Sequence, residues 1–266
     1  MGTIKHAAAL PAANVNSGKS VKENSAEANI EQMANAIVQE LETLGSPTTK
    51  KVLLKHGAKE PLFAVKVEDL KKIQKRLKMN QPLASALYAT GISDAMYLAG
   101  LIADDSCITK EELQRWAEQA SWSMLSENTV AWVAAGSRYG YPLALEWIDD
   151  PRENIVTSGW TTLSSLVAIK DDLHLDLDGL RALLKRVQET IHDRPNRVRS
   201  TMNGFVIAVG CCVPALTECA LETARSMGKV SVAMGDTSCK VPSAEESIRK
   251  AMANGTVGKK RKTAKC

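Results

Sequence analysis

The sequence predicts an all-α chain built as a stack of two-helix repeats, an α–α solenoid, and three observations carry that expectation. Apolar residues recur at three- and four-residue spacing in one segment after another. Aromatic residues make up only 4% of the 266 residues while Ala, Leu and Met are plentiful, which suits helices better than sheets. Paired segments begin near Pro82, Lys110, Pro142, Leu177 and Ala215, at intervals of roughly 30 to 45 residues, the period of a two-helix repeat. Two short helices cannot bury both faces alone, so neighbours stack, and stacking in one direction gives a curved array with a concave face. An irregular helical bundle is the competing architecture, because the repeats share negligible sequence identity.

Residues 1–27 are rich in Ala, Asn, Ser and Lys without periodicity and are expected to be disordered. Residues 28–254 form the helical repeat domain and residues 255–266 a basic tail. The first helix carries the stripe Ile30, Met33, Ile37, Leu41 and Leu44 and stops at Gly45. Ser46 caps the next helix and Pro47 opens it, where a missing N–H does no harm. A short basic helix in "KVEDLKKIQKRLKMN" follows, then the pair "QPLASALYATG" and "SDAMYLAGLIAD". "TKEELQRWAEQAS" starts with a capping box, Thr109 with Glu112, and precedes "SENTVAWVAAGSR". "YPLALEWIDDP" pairs with "RENIVTSGWTTLSSLVAIK", and "DLDGLRALLKRVQETIHD" with "NRVRSTMNGFVIAVGCC". After "ALTECALETARSMG", the stretch "KVSVAMGDTSCKVP" reads as an extended loop, and a second capping box, Ser243 with Glu246, opens the last helix.

Composition excludes several classes of function. The six cysteines form no C-x-x-C pair and no His cluster accompanies them, so metal binding is not expected and the thiols read as reduced, in a cytoplasmic protein. No run reaches membrane-spanning length, and no signal peptide is expected. No phosphate-binding glycine loop, G-x-S-x-G or H-E-x-x-H occurs, and no cofactor is expected. The net charge of +4 says little, but its distribution says more. "KKRKTAKC" at 259–266 holds Lys259, Lys260, Arg261 and Lys262 and no anion, which suits a phosphate backbone; a solvating tail explains it equally.

Arg194, Arg197 and Arg199 crowd the start of a helix, where the backbone already carries partial positive charge. They make sense there if an anion sits at that end, a phosphate being the natural one. Asn196, Arg199 and Asn203 share one face, which Gly210 continues as a small residue open to close approach. The alternative leaves Arg194 and Arg197 in solvent and pairs Arg199 with a carboxylate. Lys71, Lys75 and Lys78 share a face of the short basic helix, a solvated face or a contact for a nucleic-acid backbone. Trp122 precedes Glu127 at a helix junction. An aromatic beside a carboxylate can stack on a planar group and stabilise positive charge. It can equally be a core Trp, with Glu127 in a first turn capped by Ser126. Trp160 is core or cleft-lining, and His56 reads as a helix-end cap.

"KHGAKEPLFAVKVEDLKKIQKRL", "LASALYATGISDAMYLAGLIAD", "ASWSMLSENTVAWV" and "DRPNRVRSTMNGFVIAVG" together resemble the DNA alkylation repair family of HEAT-like-repeat proteins, over roughly residues 28–266. The "GDTSCKVPSAEESI" loop and the "GKKRKTAKC" tail look like one divergent branch of it. The resemblance implies a right-handed superhelical stack of HEAT-like repeats cradling duplex DNA on a basic concave face. It also implies removal of alkylated purines, with aromatic walls and a carboxylate that offsets the charge growing as the glycosidic bond breaks. The family's W-W-D-x-x-D-type stretch reads here Trp122-Ser123-Met124-Leu125-Ser126-Glu127. The first Trp is kept, Ser123 replaces the second, and Glu127 fills the acidic position one methylene longer. A third cleft aromatic would fall near Asn203 or Gly204, and a phosphate-binding arginine near Gly159–Trp160. The resemblance thus implies Glu127, Trp122 and Trp160 as the catalytic set. Arg194, Asn196, Arg197, Arg199, Asn203, Lys71, Lys75, Lys78 and the tail cations would hold DNA. The expected partner is duplex DNA, alkylated or otherwise damaged, bound by a monomer without metal, cofactor or membrane. A non-catalytic binder of DNA structure, or a protein scaffold, is the alternative.

Overall fold

A computed structural model describes residues 21–233 and 240–265, with side chains from Ser25 onward. Residues 1–20, residues 234–239 of the expected loop, and Cys266 lie outside the described residues. Helix α1 (Val21–Thr43) starts inside the 1–27 segment expected to be disordered. Its first described side chains, Ser25, Ala26, Glu27, Ala28 and Asn29, are exposed. Helices α2 (Pro47–Lys55) and α3 (Val67–Leu77) follow. The Asp94 carboxylate accepts the N–H groups of Phe63, Ala64 and Val65 at 2.7, 3.2 and 2.8 Å and ties their connecting loop down.

The remainder stacks as helical pairs. These are α4 (Gln81–Ala89) with α5 (Ser93–Ile102), and α6 (Lys110–Gln119) with a π-helical stretch Leu125–Val130 that continues as α7 (Ala131–Gly136). Then come α8 (Gly140–Trp147) with α9 (Glu153–Ile169), α10 (Leu177–Thr190) with α11 (Asn196–Cys212), and α12 (Thr217–Met227) with α13 (Ala244–Ala253). The second helices touch in succession, α5 to the π stretch, then α9, α11 and α13, and form one layer. The first helices pack against that layer from outside. No strand occurs among the described residues, and no single helix there is long and apolar enough to cross a membrane. The architecture is the all-α stack of HEAT-like repeats that the sequence predicts.

The N-caps act as the sequence predicts, while the Glu112 carboxylate of the first capping box accepts from Ser85 Oγ. Ser46, Thr109 and Ser243 accept the N–H three residues on, at 3.2, 3.1 and 3.2 Å. Ser126 differs: it lies inside the π stretch, and its hydroxyl accepts from Thr157 at 3.1 Å instead of capping a helix. Two apolar clusters form the core, and α9 joins them, with Ile155 and Leu166 in one and Val156, Trp160, Leu163 and Val167 in the other.

The basic tail is not free. Arg261 N–H donates to Ala168 O at 2.7 Å, and Lys260 Nζ reaches Val167 O at 2.8 Å and Asp172 at 2.6 Å. Lys265 Nζ reaches Ala103 O at 2.6 Å and Asp105 at 2.7 Å, and Ala264 is buried in the first core cluster. Those carbonyls end α9 and α5, where unpaired acceptors and the negative helix pole draw an ammonium group. Lys259 and Lys262 remain exposed without an ion-pair partner among the described residues.

Layer packing depends on close approach at Gly100, where a Cβ would meet Thr129 Cγ2 at 2.6 Å and its Cα at 3.2 Å. Gly100→Val forces α5 off the π stretch. It is expected to cost about 2–3 kcal/mol, the price of overpacking a close-packed core, read as a lower urea midpoint with unchanged slope.

Candidate functional site

Two adjoining hollows of about 450 and 220 Å³ open where α2 ends and where the π stretch, α9 and α11 begin. Both are lined by His56, Gly57, Trp122, Ser123, Glu127 and Arg197. Lys55, Asn128 and Ala233 border the larger, and Glu153, Asn154 and Thr157 the smaller. Gly57, at φ +87°, ends α2 in the left-handed region and turns the chain at this rim. Glu127 sits on a π-helical turn, a rare geometry found mostly at functional positions.

Glu127 and Arg197 face each other as a fork. Arg197 Nε donates to Glu127 Oε1 at 2.9 Å and Nη2 to Oε2 at 2.5 Å. Glu127 is the more deeply set, its side chain 15% exposed against 32% for Arg197. Burial pushes the Glu127 carboxyl above its ordinary value, Arg197 pulls it back, and Glu153 nearby adds to the rise. Glu153 also accepts the Arg197 backbone N–H at 2.9 Å. The anion at the positive end of α11 is therefore supplied by the protein itself, from the neighbouring helices. Arg152, at the start of α9, is likewise held by Asp150 and Glu118.

Of the expected aromatic walls, Trp122 contributes a small part of the cleft lining and Trp160 none. Trp122 is nearly buried, with its indole N–H donating to Ser93 Oγ at 2.6 Å, so only an edge reaches the hollows. Trp160 is 1% exposed and packs on Phe205 at 5.2 Å in the second core cluster. It shares the inward face of α9 with Val156, Leu163 and Val167, which removes it from any substrate-contacting role. Position 204, where a Cβ would meet nothing, presents no ring, and its neighbour Phe205 points into the core.

The expected phosphate contacts divide. Asn196 exchanges both amide bonds with Ala233, at 2.7 Å each, and Asn203 is buried and donates to Pro242 O at 3.0 Å. Both hold the two sides of the loop after α12 and are not free for DNA. Gly210 is small because Ile248 and Ala220 approach it from α13 and α12. Arg199 reaches Asn196 Oδ1 at 3.4 Å, while its buried Nε has no partner among the described residues. Arg194 is exposed with no partner among them. On α3, Lys72 pairs with Asp69 and Arg76 with Glu40, whereas Lys71, Lys75 and Lys78 have no ion partner among the described residues. Lys55, His56 as a cleft wall, and Glu153 as a helix-end anion were not legible from periodicity, since they reach the site from other repeats. No group of three metal-ligating side chains occurs among the described residues.

The chain matches the DNA alkylation repair enzyme family over residues 37–253. It is similar to an uncharacterized protein of Listeria innocua serovar 6a, 35% identical over 218 residues, which is 80% of this chain and 94% of that protein. An uncharacterized protein of Listeria monocytogenes serovar 1/2a matches with the same identity and coverage. A solved structure of 37% identity and TM-score 0.80 covers 87% of this chain and 99% of its own. It is described as a new family of proteins related to the HEAT-like repeat DNA glycosylases, with affinity for branched DNA structures.

The raised Glu127 carboxyl has a thermodynamic consequence. Above the ordinary value of 4.5 the folded protein keeps a proton that the unfolded chain releases, so this group's contribution to stability falls as pH rises through the folded value. Glu127→Gln is expected to abolish that fall, measured as urea midpoints from pH 4 to 7. Arg197→Gln strands a buried carboxylate and is expected to cost about 2–4 kcal/mol at pH 7, with a steeper fall as pH rises.

Proposed function

The chain belongs to the DNA alkylation repair enzyme family, and from that premise we propose that it binds DNA in repair by shape and charge, branched DNA included, without excising bases. The observation that carries this reading is the forked Glu127–Arg197 pair. Cleavage of an alkylpurine bond needs an uncompensated negative charge beside the cation that develops. Glu127, already neutralised by a guanidinium, offers little of it. The stacking surfaces that would hold the lesion are also missing: Trp122 is sunk against Ser93, Ser123 replaces its neighbour, and Trp160 lies in the core.

Binding survives the same inspection. Arg194, Lys71, Lys75, Lys78, Lys259 and Lys262 are cations without internal ion partners among the described residues, and Lys55 borders the cleft. Such groups exchange condensed counterions for phosphate contacts without reading sequence. The branched-DNA affinity of the solved relative supports the choice of a bent or branched ligand over a uniform duplex. A monomer in the cytoplasm completes the proposed reading.

A four-way junction and a linear duplex of equal length, titrated across salt, test the proposal. The junction is expected to bind about tenfold tighter, with a log–log salt slope of about −4 or steeper, and exchanging Lys71, Lys75 and Lys78 for Ala is expected to flatten that slope. Methylated DNA is expected to release no free 7-methylguanine or 3-methyladenine. Equal affinities with a flat slope would remove the DNA reading, and base release that disappears in Glu127→Gln would restore the enzymatic one.

A further inference from the structure

Resting on the DNA-binding reading above, we propose that Glu127 is a built-in competitor for the DNA backbone. Arg197 is clasped by Glu127 in the free protein and transfers to a phosphate when DNA enters the cleft, while Glu127 takes up a proton from solvent.

The geometry supplies each part. A guanidinium fork that fits two carboxylate oxygens fits two phosphate oxygens equally well, so Glu127 occupies the position a backbone phosphate would take. Arg197 is the outer member of the pair, on the rim of both hollows, and a modest rotation of its long side chain leaves Glu127 behind in the floor. The start of α11 has the character of an anion site, with aligned N–H groups and a cluster of arginines, yet both anions present are protein carboxylates, Glu127 and Glu153. A site built for anions and filled from within is a site that an outside anion can contest.

The proton follows from what surrounds Glu127. The titratable groups lining the two hollows are Arg197 from α11, Glu153 from α9, and Lys55 and His56 at the end of α2. Once Arg197 leaves, Glu127 is a sunken carboxylate facing Glu153 and an incoming polyanion, with Lys55 the cation at the rim to offset them. Burial already pushes its carboxyl upward and Arg197 holds it back, so losing Arg197 favours the neutral acid. Binding then consumes a proton, and affinity rises as pH falls.

The experiment is a junction-binding titration of the full chain from pH 6 to 8, with calorimetry in buffers of different ionisation enthalpy to count protons. Wild type is expected to take up a proton on binding and to tighten several-fold between pH 8 and pH 6. Glu127→Gln is expected to bind about tenfold tighter than wild type at pH 8 and to gain about one phosphate contact in its salt slope. His56→Gln is expected to retain the proton uptake, which separates that imidazole from Glu127. Arg197→Gln is expected to weaken binding, and adding Glu127→Gln to it is expected to remove the proton uptake without recovering the phosphate contact, because that contact is made by Arg197. A Glu127→Gln protein that binds no tighter than wild type, or a wild type that binds without proton uptake, overturns the exchange while leaving DNA binding intact. Failure of wild type to bind DNA removes both readings. Proton counting in the unmutated protein keeps the test decisive even if Arg197→Gln unfolds.

Discussion

A stack of short helices is governed by its helix ends. Every helix leaves backbone donors unpaired at its start and acceptors unpaired at its finish, and burying them without partners costs more than the added contacts return. In this protein a neighbouring element repeatedly supplies the missing partner. Asn154 of α9 donates to Ala117 O at the end of α6 at 2.7 Å, where Tyr88 also donates to Trp116 O at 2.7 Å. Gln74 donates to Leu101 O near the end of α5, and Arg186 to Ile148 O after α8. His192 meets Met227 O at the end of α12. Where a helix end is completed by another element in this way, the bond helps set the spacing of the stack alongside the apolar core.

The same rule accounts for the fate of the charged residues. Lysines of the C-terminal segment answer the negative ends of α9 and α5, so a stretch that reads as a polyanion ligand in one dimension is a strap in three. Glu153 answers the positive start of α11. Of the arginines at the wrong end of a helix, Arg197 is compensated by carboxylates from the π stretch and from α9. What remains for an external partner is the set of cations with no helix end and no carboxylate within reach among the described residues, together with Arg197, which meets its carboxylate partner at the cleft.

The cleft departs from the rest in its backbone. The π-helical turn at Leu125–Val130 sits where α5 comes closest, with Gly100 against Thr129, and it carries Glu127 into the hollow beside α9 and α11. Thr129 Oγ1 is buried there without a partner among the described residues. An unpaired hydroxyl beside a non-standard turn marks the place where the stack gives up regularity, and it is the place where the sunken carboxylate lies.

By itself the sequence determined the helical class, the pairing of helices, and their starts at Ser46, Thr109 and Ser243, because periodicity and capping are encoded within a few neighbouring residues. It also determined the acidic character of position 127 and the cluster of arginines at 194, 197 and 199. Only the tertiary structure decided which charges are spent internally. Helical spacing places Trp160, Asn196 and Asn203 on a face but does not say what that face meets, so a core indole and two loop staples read as ligand contacts. The Arg197–Glu127 pair joins residues 70 positions apart. Its strength depends on how deeply two repeats bury it, and burial is a property of the packed array that no local stretch of chain contains.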